Sequence, residues 1–495
     1  MRTRVAALVV GAVSILAPAL ALAQVGGNAV VIGMALEPPG LDPTAGAAAA
    51  IGEVTHFNVF EGLTRIGQDG GVAPLLAESW SVADDAKTYT FKLKRGVRFQ
   101  NGEPCNAETV KFAFERARDP ASTNKDKAMF AGIAEILAPD PETVVLRLKE
   151  PYAELLFHLG LNTAVIVEPK SAAGSATAPV GTGPYKLQGW VKGASATLTK
   201  WEGYRDPAAI KIERVTFRFI SEPAAQMAAL LAGDVDAFPR FGSYANVAQL
   251  EADPRFTVTI GETEGKTILA INNKRKPLDD VRVRRAIAHA IDRKAVIEGA
   301  LYGFAKPIGS HYVPIDPDYV DLTGTYPFDP AKARALLAEA GVAAPLRLSL
   351  KLPPPAYARQ SGEVIAAELA QVGIVASIEN IEWAQWLDGV FKNKNYDLTI
   401  VAHVEPHDFA IYADPNYYFQ YDSPEFSAIL AKANATLDPA ERKAALEAAQ
   451  RRLADDAVNA FLFQLPDITV AKKGLQGLWR NAPIAANDVA ALRWQ

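Results

Sequence analysis

Residues 459–473 read NAFLFQLPDITVAKK, an apolar run interrupted by Pro466 and followed by a terminal segment rich in neither helix signals nor charge. The run has the length and bounds of a buried strand. Residues 465–495, which begin within it, are too few to fold alone and must complete a body made earlier in the chain. The region before residue 266 is the available host. A second apolar strand, TILAINN (267–273), starts where the chain changes to regular strand and helix alternation. The polypeptide is therefore expected to cross from a first body to a second near residue 266 and to return near residue 465. Two crossing strands lying side by side make a hinge.

Between the crossings, LDDVRVRRAIAHAID reads as a helix capped by Asp280, with Val283, Ala286, Ile287, Ala290 and Ile291 along one face. DPAKARALLAEAG carries Asp329 as cap, Pro330 in the first turn and Gly341 at the close. Helix 360–372, strand 374–380, helix 383–392, strand 397–403 and the capped helix 438–456 continue the alternation, which is the grammar of an α/β body. In the first body, TYTFKLKRGVRF (88–99) alternates as a half-buried strand, paired with Ser79 to Val82 across the Asp84-Asp85 turn. Asn106 caps a helix with Val110, Ala113, Phe114 and Ala117 on one face, and residues 142–151 read as another strand.

The first residues, MRTRVAALVVGAVSILAPALALAQ, carry Arg2 and Arg4, an apolar stretch from Val5 to Leu20, and Ala21-Leu22-Ala23. This is the pattern of a cleavable secretory signal; the stretch is short for a membrane anchor and lacks a basic flank behind it. The only cysteine, Cys105, lies far from the position a lipoprotein needs, so a free periplasmic protein is expected. A lone cysteine also forms no internal disulfide, and Cys105 reads as a small buried apolar group. The formal charge is −5 and becomes two units more negative with the signal removed. An acidic balance of this kind speaks against nucleic acid and anionic membrane as partners. The expected organisation is a signal at 1–23, a first lobe at 24–265, a second lobe at 266–464, and a return segment at 465–495 completing the first.

VGTGPYKL (180–187) sets glycines at 181 and 183 before Pro184. It matches neither GxGxxG nor GxxxxGK[ST], and Pro184 removes an N–H where an anion cradle wants one. The stretch reads as a structural bend, with glycines permitting positive φ. The sequence has no GxSxG elbow, HExxH or CxxC.

VGTGPYKL resembles a recurring turn of the extracellular solute-binding proteins of family 5, which serve peptide-type ATP-binding-cassette (ABC) importers. EPPGLDP (37–43), the long stretch from NVFEGLTRI to KFAFERA (58–117) and LDDVRVRRAIAHAIDRKAVI (278–297) resemble the same family in the same order. The resemblance implies an α/β, two-lobed periplasmic-binding-protein fold (type II, Venus-flytrap) with an extra subdomain in the first lobe, at about 58–180, closing over a solute. It implies no enzyme and no cofactor, a monomer, and an inner-membrane ABC permease as partner.

For a peptide ligand, the family holds the ammonium with a second-lobe carboxylate. The matching region, YDLTIVAHVEPHDFAIYADPNYYF (396–419), departs from the family pattern, leaving Asp408 as first choice and Glu405 as second. Either could instead be a solvated or turn-capping acid. His403, Glu405 and His407 fall at i, i+2 and i+4, so a continued strand would point all three one way and suggest a metal cluster. Pro406 argues against such a strand, and His403 reads more simply as lining the cleft. Trp383 is placed by the resemblance as a cleft tryptophan and Trp386 as core. Tyr417 with Tyr418 and Phe419 could wall a pocket, and Glu37, Pro38 and Pro39 line the first lobe through their backbone. Lys392 and Lys394 are candidates for a ligand carboxylate, against the plainer reading of solvated lysines. The expected function is capture of a short peptide or peptide-like amine for import. A metal or metallophore carrier on the same scaffold, and a secreted hydrolase, are the alternatives.

Overall fold

The computed structural model describes residues 28–46 and 48–495; the signal at 1–23 lies outside them. Among the described residues no helix is long and apolar enough to cross a membrane. A single 11-stranded sheet runs through the molecule. At its centre Phe256–Ile271 and Asn459–Lys472 lie antiparallel. On one side of this pair follow Leu398–His403, Leu346–Leu352 and Ile374–Asn380. On the other come Ala237–Phe238, Ala29–Met34, Arg214–Phe219, Ser195–Lys200 and Tyr185–Val191, and the eleventh strand, Lys306–Pro307, pairs with Gln464 and Phe463 outside this order.

Each central strand is shared between two bodies. Lys266–Ile271 pairs with His403–Leu398, while Val470 and Ala471 pair with Phe238 and Ala237. Between the two halves the register slips: Glu262 faces Pro466, yet Lys266 faces Gln464. Thr263, Glu264 and Gly265 thus stand opposite Leu465 alone, a bulge that loosens the ladder where one body gives way to the other. Beyond the bulge the strand is buried on both faces. Ile268 and Ala270 enter an apolar cluster with Phe409, Tyr412 and Phe461. Leu269 and Ile271 enter another with Ile287, Ile365 and Leu462, as the two-residue period of a strand requires.

A separate four-stranded sheet, ordered Ala77–Val82, Thr88–Leu93, Thr143–Leu148, Ile133–Asp140, packs on the helix Ala107–Arg118. Asn106 caps that helix by accepting from the Glu108 and Thr109 amides, and Val110, Ala113, Phe114 and Ala117 are all buried. The expected helix after Asp280 ends at His289, because Asp292 starts a new one by accepting from the Lys294 and Ala295 amides. The segment 383–392 is one α-turn followed by a π-helix over Trp386–Lys392. The strand from Thr88 stops at Leu93.

The bend at 180–187 has a cause other than positive φ, which neither glycine adopts. The Gly183 and Tyr185 amides donate to the Val59 and Asn58 carbonyls at 2.9 Å, and the Gln100 amide donates to the Gly181 carbonyl at 2.9 Å. A Cβ on Gly181 would lie 1.9 Å from the Val59 carbonyl oxygen, and one on Gly183 2.5 Å from that of Asn58. The glycines permit backbone to meet backbone, and the loop donors are spent within the fold. Thr182 Oγ1 donates to Glu61 Oε2 at 2.8 Å, and Arg205 clamps both oxygens of the same carboxylate.

Candidate functional site

The two bodies face each other across the bulged strands and touch. The Ala153 amide donates to the Asn434 carbonyl at 3.2 Å, and Arg442 pairs with Glu154. His407 Nδ1 donates to Glu154 Oε2 at 2.8 Å while its ring stacks on Phe157 at 4.1 Å. The two bodies also share a cavity of about 110 Å³, with Ala49, His56, Lys125 and Asn162 on the first body, Glu405 on the second, and Ala485 on the returning segment.

The second body also holds a buried charge network. Lys266, 1% exposed, places Nζ 3.1 Å from Asp408 Oδ1 and also donates to the Glu405 carbonyl. His311 Nε2 donates to Asp408 Oδ1 at 2.9 Å, and Tyr412 OH donates to His311 Nδ1 at 2.9 Å. Asn459 Nδ2 in turn donates to Tyr412 OH at 3.1 Å. This chain assigns the His311 proton to Nε2. Burial works to raise the Asp408 pKa, but Lys266 and His311 outweigh it and hold the carboxyl well below its usual range. Burial lowers the Lys266 pKa less than Asp408 and Glu264 raise it. Burial, with His311 beside it, pushes His403 down to about 3, so the imidazole is neutral. Its Nε2 meets Tyr418 OH at 2.9 Å.

The candidate residues separate into groups. His403, Asp408 and Tyr417 come together around this network, the His403 and Tyr417 rings lying 6.3 Å apart. The strand expected to carry His403, Glu405 and His407 on one face stops at His403. His407 adopts φ 54° and turns toward Glu154, while Glu405 is half-exposed at the cavity, its Oε1 4.0 Å from Lys125 Nζ. A different trio, His311, His403 and Asp408, does bring possible ligand atoms within 4.8 Å of one another. There the Lys266 ammonium already holds the place beside Asp408 that a cation would take. Trp383 is 41% exposed and meets Trp386 edge-on at 5.6 Å; Trp386 is core, donating to Thr399 Oγ1 at 3.0 Å. Tyr418 and Phe419 are fully buried. Glu37 accepts from Trp190 Nε1 at 3.0 Å and from the Gly193 amide at 2.9 Å, which ties Pro38 and Pro39 to the hairpin Tyr185–Lys200. Among the described residues Lys394 Nζ donates only to the Lys392 carbonyl. The Cys105 thiol is pushed up to about 12 by burial, which makes it a poor nucleophile.

Lys266, His311, Glu264 and Asp316 were not singled out in the sequence. Each is an isolated polar residue with no periodic signal, and its partner lies far along the chain. Glu264 sits in the bulge, 4% exposed, with Oε2 unpartnered and 4.0 Å from Lys266 Nζ. Burial first, then Asp316, raise its pKa from 4.5 to about 8. The folded state therefore keeps a proton that the unfolded chain releases, so this contribution to stability is full below the unfolded pKa and falls as pH rises toward about 8. Glu264→Gln, which carries no titration, is expected to flatten that decline. It should stabilise the protein at about pH 8 by on the order of a few kcal/mol while changing little at about pH 4; urea midpoints at the two pH values measure it.

The profile described as "Bacterial extracellular solute-binding proteins, family 5 Middle" matches residues 71–425. The glutathione-binding protein GsiB of Escherichia coli K12 is 29% identical over 461 residues, 89% of each chain. Among solved structures, AgaA of A. tumefaciens R10 in complex with agropinic acid superposes with a TM-score of 0.82 at 26% identity, covering 94% of this chain and 99% of its own. DppA of Helicobacter pylori, in complex with the peptide STSA, shares the fold with a TM-score of 0.81 at 24% identity, over 94% and 98% of the two chains.

Proposed function

Because the chain belongs to the bacterial extracellular solute-binding proteins of family 5, we propose that it captures a short peptide or peptide-like amine in the periplasm by closure of its two lobes. It then hands the solute, unchanged, to an ABC permease in the inner membrane. The observation that carries this reading is the cavity walled by both bodies above a pair of shared strands whose ladder slips between Glu262 and Lys266. Such strands let the bodies rotate while remaining joined. The similarity to GsiB, named for glutathione, supports a peptide-like cargo.

Glu405 is the carboxylate assigned to a ligand ammonium, since it lines the cavity and, among the described residues, its one ion-pair partner is Lys125 at 4.0 Å. Asp408 supports the site from beneath, its charge met by Lys266, and an ammonium would have to displace that lysine to reach it. His403 orients Tyr418 and the network. Trp383 and Tyr417 offer apolar surface to ligand side chains, and the backbone of Glu37, Pro38 and Pro39 contributes from the first lobe. Native mass spectrometry of protein purified without denaturation is expected to show a non-covalent mass in the short-peptide range, released intact on unfolding. Peptides that emerge cleaved after incubation with the protein would replace transport by catalysis.

A further inference from the structure

We infer that His56, Lys125 and Asn162 form a first-lobe subsite that receives a carboxylate of the bound solute. The inference rests on the solute-binding reading above and specifies one end of the ligand. His56 directly follows the helix Ala49–Thr55, is 1% exposed, and has no hydrogen-bond partner on either ring nitrogen. Buried polar atoms in folded proteins are nearly always paired, and an unpaired one is costly. Stacking on Phe57, at 3.9 Å between ring centres, fixes the orientation of the imidazole and satisfies neither nitrogen. Burial, then Arg65, hold the ring down at about 3, so it presents one N–H and one lone pair.

The ring lines the cavity between the lobes, and its neighbours there are rich in donors. Among the described residues the one ion-pair partner of Lys125 is Glu405, at 4.0 Å, too long for a hydrogen bond. Asn162 reaches the same wall because residue 52 is glycine: a Cβ there would stand 2.8 Å from Asn162 Nδ2 and 2.5 Å from the Ala485 carbonyl oxygen. An ammonium, an amide and an imidazole line one cavity together with a single loosely held, half-exposed carboxylate, that of Glu405. A carboxylate is the group that accepts from all three, and a single cation matches its single charge. Its arrival would release Glu405 from Lys125 and leave Glu405 free for the ammonium of the same solute. The cavity, about 110 Å³, has far more room than one water needs and accommodates a carboxylate on a small terminal residue.

The test uses two pools of di- and tripeptides identical in sequence, one with free C-terminal carboxylates and one with C-terminal amides, titrated into cargo-free protein by calorimetry. Free acids are expected to bind at least about tenfold more tightly than amides, as for loss of a hydrogen-bonded charge. His56→Phe and, separately, Lys125→Gln should each shrink that preference severalfold; the half-exposed Lys125 keeps the test usable if the buried variant folds poorly. Equal binding of acids and amides by the unaltered protein, or an undiminished preference in Lys125→Gln, overturns the subsite and leaves the solute-binding reading standing. Binding of neither pool overturns both.

Discussion

Gly181→Ala is expected to destabilise the protein by more than about 3 kcal/mol, and to block folding if the lobe has no such reserve. The new Cβ would stand 1.9 Å from the Val59 carbonyl oxygen and 2.7 Å from its carbon. Those atoms are backbone and have no rotamer by which to yield. Moving Val59 away breaks the hydrogen bond it accepts from the Gly183 amide and strains the neighbouring contact of Thr182 with the Glu61–Arg205 pair. Thus one methyl disturbs the joint between residues 58–61 and 180–185. Gly189→Ala is the control: it lies in the strand Tyr185–Val191 with nothing within 4 Å of its Cβ position. It should be neutral or stabilising by up to about 1 kcal/mol. Denaturant midpoints for the two variants compare them, and a Gly181→Ala protein as stable as the parent would mean that residues 59 and 181 do not approach so closely.

Lys266→Met is expected to cost about 3–5 kcal/mol, because it leaves the buried Asp408 without its cation. His311, neutral, continues to donate one hydrogen bond but supplies no charge. Asp408→Asn alone leaves the Lys266 ammonium, 1% exposed, facing an amide. The double variant Lys266→Met/Asp408→Asn removes both charges and should recover much of the loss. A double-mutant cycle from denaturation curves isolates the coupling. Additive single-variant effects would show that the two side chains do not act as a pair. A further readout follows from the proposed function: in Lys266→Met, Asp408 becomes available to a ligand ammonium, so amine-bearing solutes should lose less affinity than stability.

The two central strands were legible as strands because TILAINN and NAFLFQLPDITVAK are apolar runs of strand length. Helix starts were legible from their caps: Asn106, Asp280, Asp329 and Asp438 each accept from an amide two or three residues on. Local chemistry also misled. Asp292 caps a new helix where the apolar face of the preceding one still runs on, and φ 54° at His407 breaks the two-residue period that would have grouped it with His403. The candidate site was the least legible part, because its chemistry depends on partners far apart in sequence. His311 reaches Asp408 across 97 residues, and His407 reaches Glu154 across 253. Asp408 was found by resemblance to the family, yet the lysine that meets its charge carries no pattern of its own. The glycines at 181 and 183 marked a bend, but only the packed structure shows that they serve close approach.

Lobe closure about Phe256–Ile271 and Asn459–Lys472 is tested most directly by small-angle X-ray scattering on cargo-free protein before and after saturation with the peptide it retains on purification. A smaller radius of gyration and a more compact distance distribution in the loaded state are expected, with the peptide recovered unaltered. Superimposable curves at saturation, with the peptide bound, would contradict closure.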